Sequence, residues 1–290
     1  MNPITQHIII YSVVIVLLII ALILLEQKYF LRKRSHALLP RLAINISLSI
    51  LSFIIVYYVI FPAQTKTFEL TTSYNFGLVK FIRLPETISA ILSFLLMDLA
   101  FYYWHFLNHR IPFLWRFHNV HHFDPDLDVS TAFRFHFVEI GFSTVFRIIQ
   151  ISVIGISPFV FMIYEIAFTA NTSFQHSNIK LPIKLERVLN KIIVTPRMHG
   201  IHHSNYQEET NSNYSTVFSW WDKIHNTLRL NIPQSKITIG VPGYSEEIDN
   251  KLFNVIISPF KSQKKYWEQS GMKYYSRNAE INSTKTFLEE

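Results

Sequence analysis

Long runs without charge alternate along this chain with short polar stretches rich in Lys and Arg. Positions 8–25 are aliphatic except for Tyr11 and Ser12. A helix needs about 20 apolar residues to cross a bilayer, so this run predicts a spanning helix. It is not expected to be a cleaved leader, because Met1 to His7 carries no Lys or Arg and no small-residue cleavage site follows. Two more spans are predicted at 42–65 and at 87–104, the latter interrupted only by Asp98. Two shorter apolar pieces, 148–164 and 166–172, surround Gly155, Ser157, Pro158 and Glu165. With Pro158 at the turn they predict a hairpin of shorter helices, spanning or re-entrant. Between 181 and 195, Leu185, Val188, Leu189 and Ile192 recur at i, i+3, i+4 and i+7 among Lys184, Glu186, Arg187, Asn190 and Lys191. That pattern predicts an amphipathic helix, lying on the membrane surface or packed on the protein's own core.

The expected fold is therefore an all-α integral membrane bundle with about four spanning or re-entrant segments. Composition agrees, with 49% hydrophobic against 16% charged residues in 290. The net charge of +7 is compatible with nucleic acid or with an anionic membrane surface. Its distribution favours the membrane. Lys28, Arg32, Lys33, Arg34 and Arg41 crowd the loop after the first run, whereas Lys66, Lys80 and Arg83 are spread over a longer stretch. By the tendency of cations to stay inside, the first loop is cytoplasmic and the N-terminus outside, and everything from His105 onward of chemical interest faces the cytoplasm. Three parts are expected: N-terminal membrane helices and loop at 1–85, a catalytic part at 86–230, and a cytoplasmic tail at 231–290 that includes Lys261, Lys264, Lys265 and Lys273.

Cysteine is absent while histidine numbers 13, which excludes disulfides, thiolate metal sites and cysteine nucleophiles and leaves imidazole chemistry open. Eight histidines fall into three groups: His105 and His109; His118, His121 and His122; His199, His202 and His203. On a helix, positions i, i+3 and i+4 share an arc of about 100°, so each group aims its rings into one space. Eight imidazoles exceed the ligand set of one zinc, so a dimetal site is the natural count. No HExxH is present, and no Glu precedes a His with the spacing of soluble di-iron bundles.

The runs from Asp98 to Arg110, from Trp115 to His122 and from Thr195 to Ser204 resemble the fatty acid hydroxylase/sterol desaturase superfamily, over roughly 90–230. The resemblance implies a membrane-bound non-haem di-iron enzyme that uses O2 and two electrons to hydroxylate or desaturate a lipid. It implies that the eight grouped histidines, with His176 in Phe174-Gln-His-Ser as a ninth, hold two irons. Thr172 stands where some members have a histidine, which implies an open or water-filled position at one iron. His225 and Asn226 replace the usual Phe-Gly after Trp221-Asp222, so His225 is expected to pack or hydrogen-bond locally. His136 and Glu139, in an Arg-x-His-Pro-x-Glu-like element without its proline, are expected to support ligand rings, and Asn213 matches a family element. Asp98 lies two turns before His105 on one face and, being costly in a membrane, should pair with a ligand ring or a tyrosine. Asp124, Asp126 and Asp128 either orient ligands or form an exposed acidic loop; His7 and His36 are expected at the surface.

No GxGxxG element or haem-binding module is recognisable, so the implied partner is an external reductase, cytochrome or ferredoxin, and the implied substrate a lipid reached from the bilayer. Two other classes compete. A metal transporter would place histidines along spans near the midplane. A membrane zinc hydrolase would need fewer ligands and an acid/base carboxylate near an open position.

Overall fold

The computed structural model describes residues 3–264, with side chains from residue 12. Lys265, Lys273 and the side chain of His7 lie outside that description. The helices are α1 (Pro3–Lys28), α2 (Leu38–Ile55), α3 (Phe61–Ser73), α4 (Leu78–Ile82), α5 (Glu86–Arg110), α6 (Pro112–His122), α7 (Phe137–Ile154), α8 (Pro158–His176), α9 (Ile183–Leu189), α10 (Pro196–His202), α11 (Gln207–Thr210), α12 (Trp220–Ile224) and α13 (Leu252–Ile257). One turn of π-helix, Val56–Ile60, joins α2 to α3 without a break. Among the described residues there is no strand, only isolated bridges such as Phe30 with Ile179 and Ile193 with Phe218.

Three stretches of the described residues are long and apolar enough to cross a bilayer: Leu38–Ile82, Glu86–Arg110 and Phe137–Ile154. Their outer faces carry exposed apolar residues at helical spacing, Ile46, Ile50 and Phe53 on α2 and Val145, Ile149 and Val153 on α7. α1 shows the same, with Val13, Leu17, Ile20 and Leu24 exposed. Such stripes are stable against lipid and would be costly against water. Inward, Met97, Ile151, Ile154 and Tyr164 form a core between α5, α7 and α8.

The expected hairpin is α7 and α8. α7 stops at Gly155, whose φ of +74° suits a residue without Cβ, and Ser157 caps α8 by accepting from the Val160 amide at 3.3 Å, with Pro158 in the first turn. Gly77 packs against Gly155 so closely that a Cβ at either would strike the other's backbone. The amphipathic helix is shorter than the periodicity predicts: α9 ends in a turn at Asn190, and Leu185, Val188 and Ile192 are exposed, so this stripe is not packed on the protein's own core. Residues 231–264 lie against the bundle, where Val241, Tyr244 and Val255 join Leu48, Trp115, Val120 and Phe123.

The loop after α6 is tied to α2 by charge. Arg41 donates from Nε and Nη2 to the Asp124 carboxylate at 2.7 and 2.9 Å and from Nη1 to Asp128 at 2.7 Å. Asn45 and Thr131 donate to the same Asp124 oxygen at 3.1 and 2.9 Å. Burial would raise the Asp124 carboxyl, but Arg41 and Arg134 hold it below the usual carboxylate range. The three aspartates are thus neither ligand-orienting nor exposed; Asp126 is also buried and binds the amides of Ser35 and His36 at 2.8 and 2.9 Å. Replacing Arg41 with Leu removes the cation that binds both carboxylates at 2.7 Å and leaves only Arg134 at 4.0 Å from Asp124 and Arg34 at 3.6 Å from Asp128. Thermal unfolding of the detergent-solubilised variant should show a loss of about 3–5 kcal/mol, the cost of breaking one side of a buried ion pair.

Candidate metal centre

Helix ends bring the histidines together. α5 terminates at Arg110, Ile111 is extended, and Pro112 opens α6, so His105 and His109 on the last turns of α5 meet His118, His121 and His122 across a sharp corner. His176 is the last residue of α8. α10 opens on Pro196 and carries His199 and His202, with His203 as its C-cap. All nine rings sit in one cluster and, His109 excepted, all are buried below a tenth of their surface.

They form two sets. His105, His109, His118, His122 and His202 each offer a ring nitrogen within 4.8 Å of the others, and His121, His176, His199 and His203 do the same. Each HxxHH motif is therefore divided. On α6 the i and i+4 rings join the five-membered set and the i+3 ring the four-membered one; on α10 the assignment is reversed. Spacing alone, which directs three rings to one space, does not foresee this. The two helices approach the cluster from different sides, so the same arc of each straddles both sets.

Four rings are oriented by bonds on their outer nitrogen. His105 Nδ1 donates to the Tyr214 carbonyl at 2.8 Å, His202 Nδ1 to the Ser212 carbonyl at 2.6 Å, His176 Nδ1 to the Thr172 carbonyl at 2.7 Å, and His118 Nδ1 to Glu139 Oε1 at 2.7 Å. A carbonyl only accepts, so the proton is on Nδ1 and the Nε2 lone pair points inward, the arrangement by which histidine ligands are held around metals. Burial pushes His202 down to about 3 despite the Ser212 carbonyl, and it pushes His121, His122, His199 and His203 well below the usual imidazole range, with neighbouring rings adding to it. These rings are neutral, the form that binds a cation.

The set fits a metal on its own terms. The Nε2 atoms of His121 and His176, of His176 and His199, and of His199 and His203 face one another at 3.0, 2.9 and 3.1 Å. A neutral ring has one proton, and His176 spends its own on Thr172, so the four cannot satisfy each other by hydrogen bonds. Two nitrogens held at ~2.1 Å by one ion lie ~3 Å apart when their bonds meet near a right angle. His118 Nε2, His122 Nε2, His202 Nε2 and both nitrogens of His109 are buried without a protein partner. That many orphaned lone pairs in one place calls for a cation.

The other candidates divide. Glu139 Oε1 lies 2.7 Å from His118 Nδ1 and accepts its hydrogen bond. Asp98 pairs with neither ring nor tyrosine: its oxygens accept from the amides of Val217 and Phe218 at 3.3 and 3.0 Å and from the Trp221 indole at 2.8 Å, which fixes the segment leading to the Ser215 region. His136 caps α7 through the Val138 amide at 3.2 Å and donates from Nε2 to the Ile256 carbonyl at 3.1 Å, away from the nine rings. His225 bonds Tyr103 at 2.8 Å and stacks on Tyr102, a local role. His36 is a surface residue beside Ser35.

Asn213 has a role that spacing does not reveal. It stands between the two carbonyls that orient His202 and His105, with φ +53°. Its side-chain amide donates to the carbonyls of Met198 and Arg229 at 2.9 and 2.8 Å and its Oδ1 accepts the Arg229 amide at 2.7 Å. The left-handed bend, which Asn tolerates, turns Ser212 and Tyr214 toward different rings. Asp222 completes the loop by accepting the amides of Tyr214 and Ser215 at 2.8 and 3.0 Å.

A helical membrane bundle with two buried all-histidine sets at the ends of its helices defines a class apart from the soluble carboxylate-ligated bundles. Residues 90–227 match the fatty acid hydroxylase family model. Among similar proteins, an ornithine lipid hydroxylase of Rhizobium tropici is 30% identical over 160 residues, covering 55% of this chain and 47% of its own. Human cholesterol 25-hydroxylase is 28% identical over 141 residues, 47% of this chain and 49% of its own. Human alkylglycerol monooxygenase is 30% identical over 143 residues, 47% and 29% respectively. The chain spans half or less of the length of these relatives. No solved structure matches it.

Two substitutions separate the supporting roles. Glu139→Gln removes the charged acceptor from His118, and metal affinity measured by competition with a chelator should fall about 10–100-fold. At Asn213, Gly keeps the left-handed bend and Val does not. Metal content after dialysis should fall in Asn213→Val well beyond Asn213→Gly, which loses only the side-chain clamp; equal loss in both would show that the bend is immaterial.

Proposed function

We propose that this protein is a membrane-bound non-haem di-iron oxidoreductase that uses O2 to hydroxylate or desaturate a lipid. The observation that carries this reading is the pair of histidine sets beside an apolar cavity of about 420 Å³. His105, His118, His121, His176 and His199 form one side of the cavity, and Phe101, Phe133, Ile140 and Phe168 face them. Such a pocket suits an alkyl chain and keeps bulk water away. His105, His109, His118, His122 and His202 would hold one iron; His121, His176, His199 and His203 would hold the other. Bound there, the two irons supply the redox chemistry that no side chain has. In hydroxylation one oxygen of O2 enters a C–H bond and the other leaves as water, consuming two electrons and two protons; in desaturation two hydrogens leave the lipid and, with two further electrons and two protons from the donor, both oxygens leave as water.

The chain's own part is placement. The carbonyls of Tyr214, Ser212 and Thr172 and the Glu139 carboxylate keep four rings turned inward. Thr172, at the cavity wall with a buried hydroxyl lacking a partner, leaves the four-histidine set with room for a small molecule where a further ring would stand. In this reading 86–230 is the catalytic part, 1–85 anchors it, and 231–290 is a cytoplasmic tail, of which 231–264 lies against the bundle. The site faces the cytoplasm, where an external reductase, cytochrome or ferredoxin delivers electrons; the basic residues Lys28 at the end of α1 and Lys33 and Arg34 on the loop after it support that side. Lipid as substrate draws support from relatives named for an ornithine lipid, cholesterol and alkylglycerol. A transporter reading is disfavoured, since the rings occupy helix ends rather than a midplane pathway.

Protein purified without added metal should contain iron and, given a chemical reductant, consume O2 in the presence of membrane lipid extract, with an oxygenated or unsaturated product identified by mass spectrometry. His121→Ala should lose iron and product together. Zinc as the sole metal with no O2-dependent product would overturn the reading.

A further inference from the structure

The cavity beside the histidines has a second, charged end. Arg147 on α7 and Glu165 on α8 both line it, with Nη2 and Oε1 3.0 Å apart. Arg147 lies midway along the candidate span Phe137–Ile154 and Glu165 in the middle of the apolar α8 packed beside it, and an ionisable side chain in such surroundings is costly and marks a site unless it is needed to hold helices together. Here the arginine is already held. It packs over Phe101, Tyr164 and Phe168, with ring centroids 5.1, 5.3 and 5.1 Å away, and donates to Gln150 at 3.2 Å. The Glu165 side chain keeps 30% of its surface open, against 10% for Arg147. A clamp between α7 and α8 would be best sealed in the core; this pair faces a void.

The helices supply a ruler. Arg147 is eight residues along α7 from Glu139, the support of His118, or ~12 Å at 1.5 Å per residue, and Glu165 is eleven residues from His176 along α8, or ~16 Å. On the proposed function, which this rests on, we infer that the Arg147–Glu165 pair recognises a polar group of the lipid lying ~12–16 Å from the carbon presented to the histidines, and that this group is an uncharged hydroxyl. The pair is neutral overall and offers a donor and an acceptor side by side, as an alcohol requires. A carboxylate would set one oxygen against Glu165.

The test is binding. Tritiated tetradecan-1-ol, tetradecane and tetradecanoate are offered to the full-length protein in detergent, with binding to protein-free micelles subtracted. The wild type should bind the alcohol about tenfold more tightly than the alkane, the worth of a hydrogen bond to a charged group. The double variant Arg147→Met/Glu165→Leu removes both charges and leaves neither orphaned; its alcohol preference should vanish while alkane affinity stays. Glu165→Gln, closer to native in shape, should lower the preference about threefold and serves if the double variant does not fold. An unchanged preference in the variants, or tighter binding of tetradecanoate than of the alcohol, overturns the inference. Iron content of the same samples separates the two readings: iron present without an alcohol preference sinks this one alone, and an alcohol preference without iron sinks the di-iron reading alone.

Discussion

Nine imidazole rings, packed so that their inward nitrogens face one another or meet no protein partner, are the constraint on which the rest of the structure depends. Burying that many unsatisfied lone pairs is unfavourable by a few kcal/mol each in the absence of a cation, so the fold around them must be held by other means. The Gly155 turn, the Pro112 corner and the Arg41–Asp124 pair are those means. The Pro112 corner and the Arg41–Asp124 pair fix the ends of α5 and α6 that carry rings, and the Gly155 turn sets α8, whose far end carries His176.

The supports of the rings are mostly backbone. Carbonyls of Thr172, Ser212 and Tyr214 do what carboxylates do in many metal sites, and they sit where the chain departs from regular helix or ends one. A carbonyl is fixed in direction by φ and ψ alone, so the loop that bears two of them must itself be rigid. Asn213, Asp222 and Asp98 supply that rigidity by binding backbone amides and carbonyls rather than rings.

Much of this was legible in the residues, for identifiable reasons. Apolar runs and the HxxHH spacing are local and periodic, so the helices and the eight grouped histidines could be read directly, and the turn at Pro158 with them. The division of each motif between two sets could not, because it depends on how α6 and α10 approach each other. Arg41 reads as a loop cation that orients the chain, yet it is buried against Asp124; a single charge gives no sign of a partner 83 residues away. The partner of Asp98 was misread because a backbone amide has no letter of its own. Arg147 and Glu165 break their apolar runs visibly, but only the cavity gives that break a meaning.

The crossed division of the two HxxHH motifs has a consequence for how the centre is assembled. α6 lends two rings to one set and one to the other, and α10 does the reverse, so neither set belongs to a helix. A tilt of either helix displaces nitrogens in both sets together. The two positions are thereby linked in the thermodynamic sense: a ligand at one acts on the other through α6 and α10, and by the same factor in each direction.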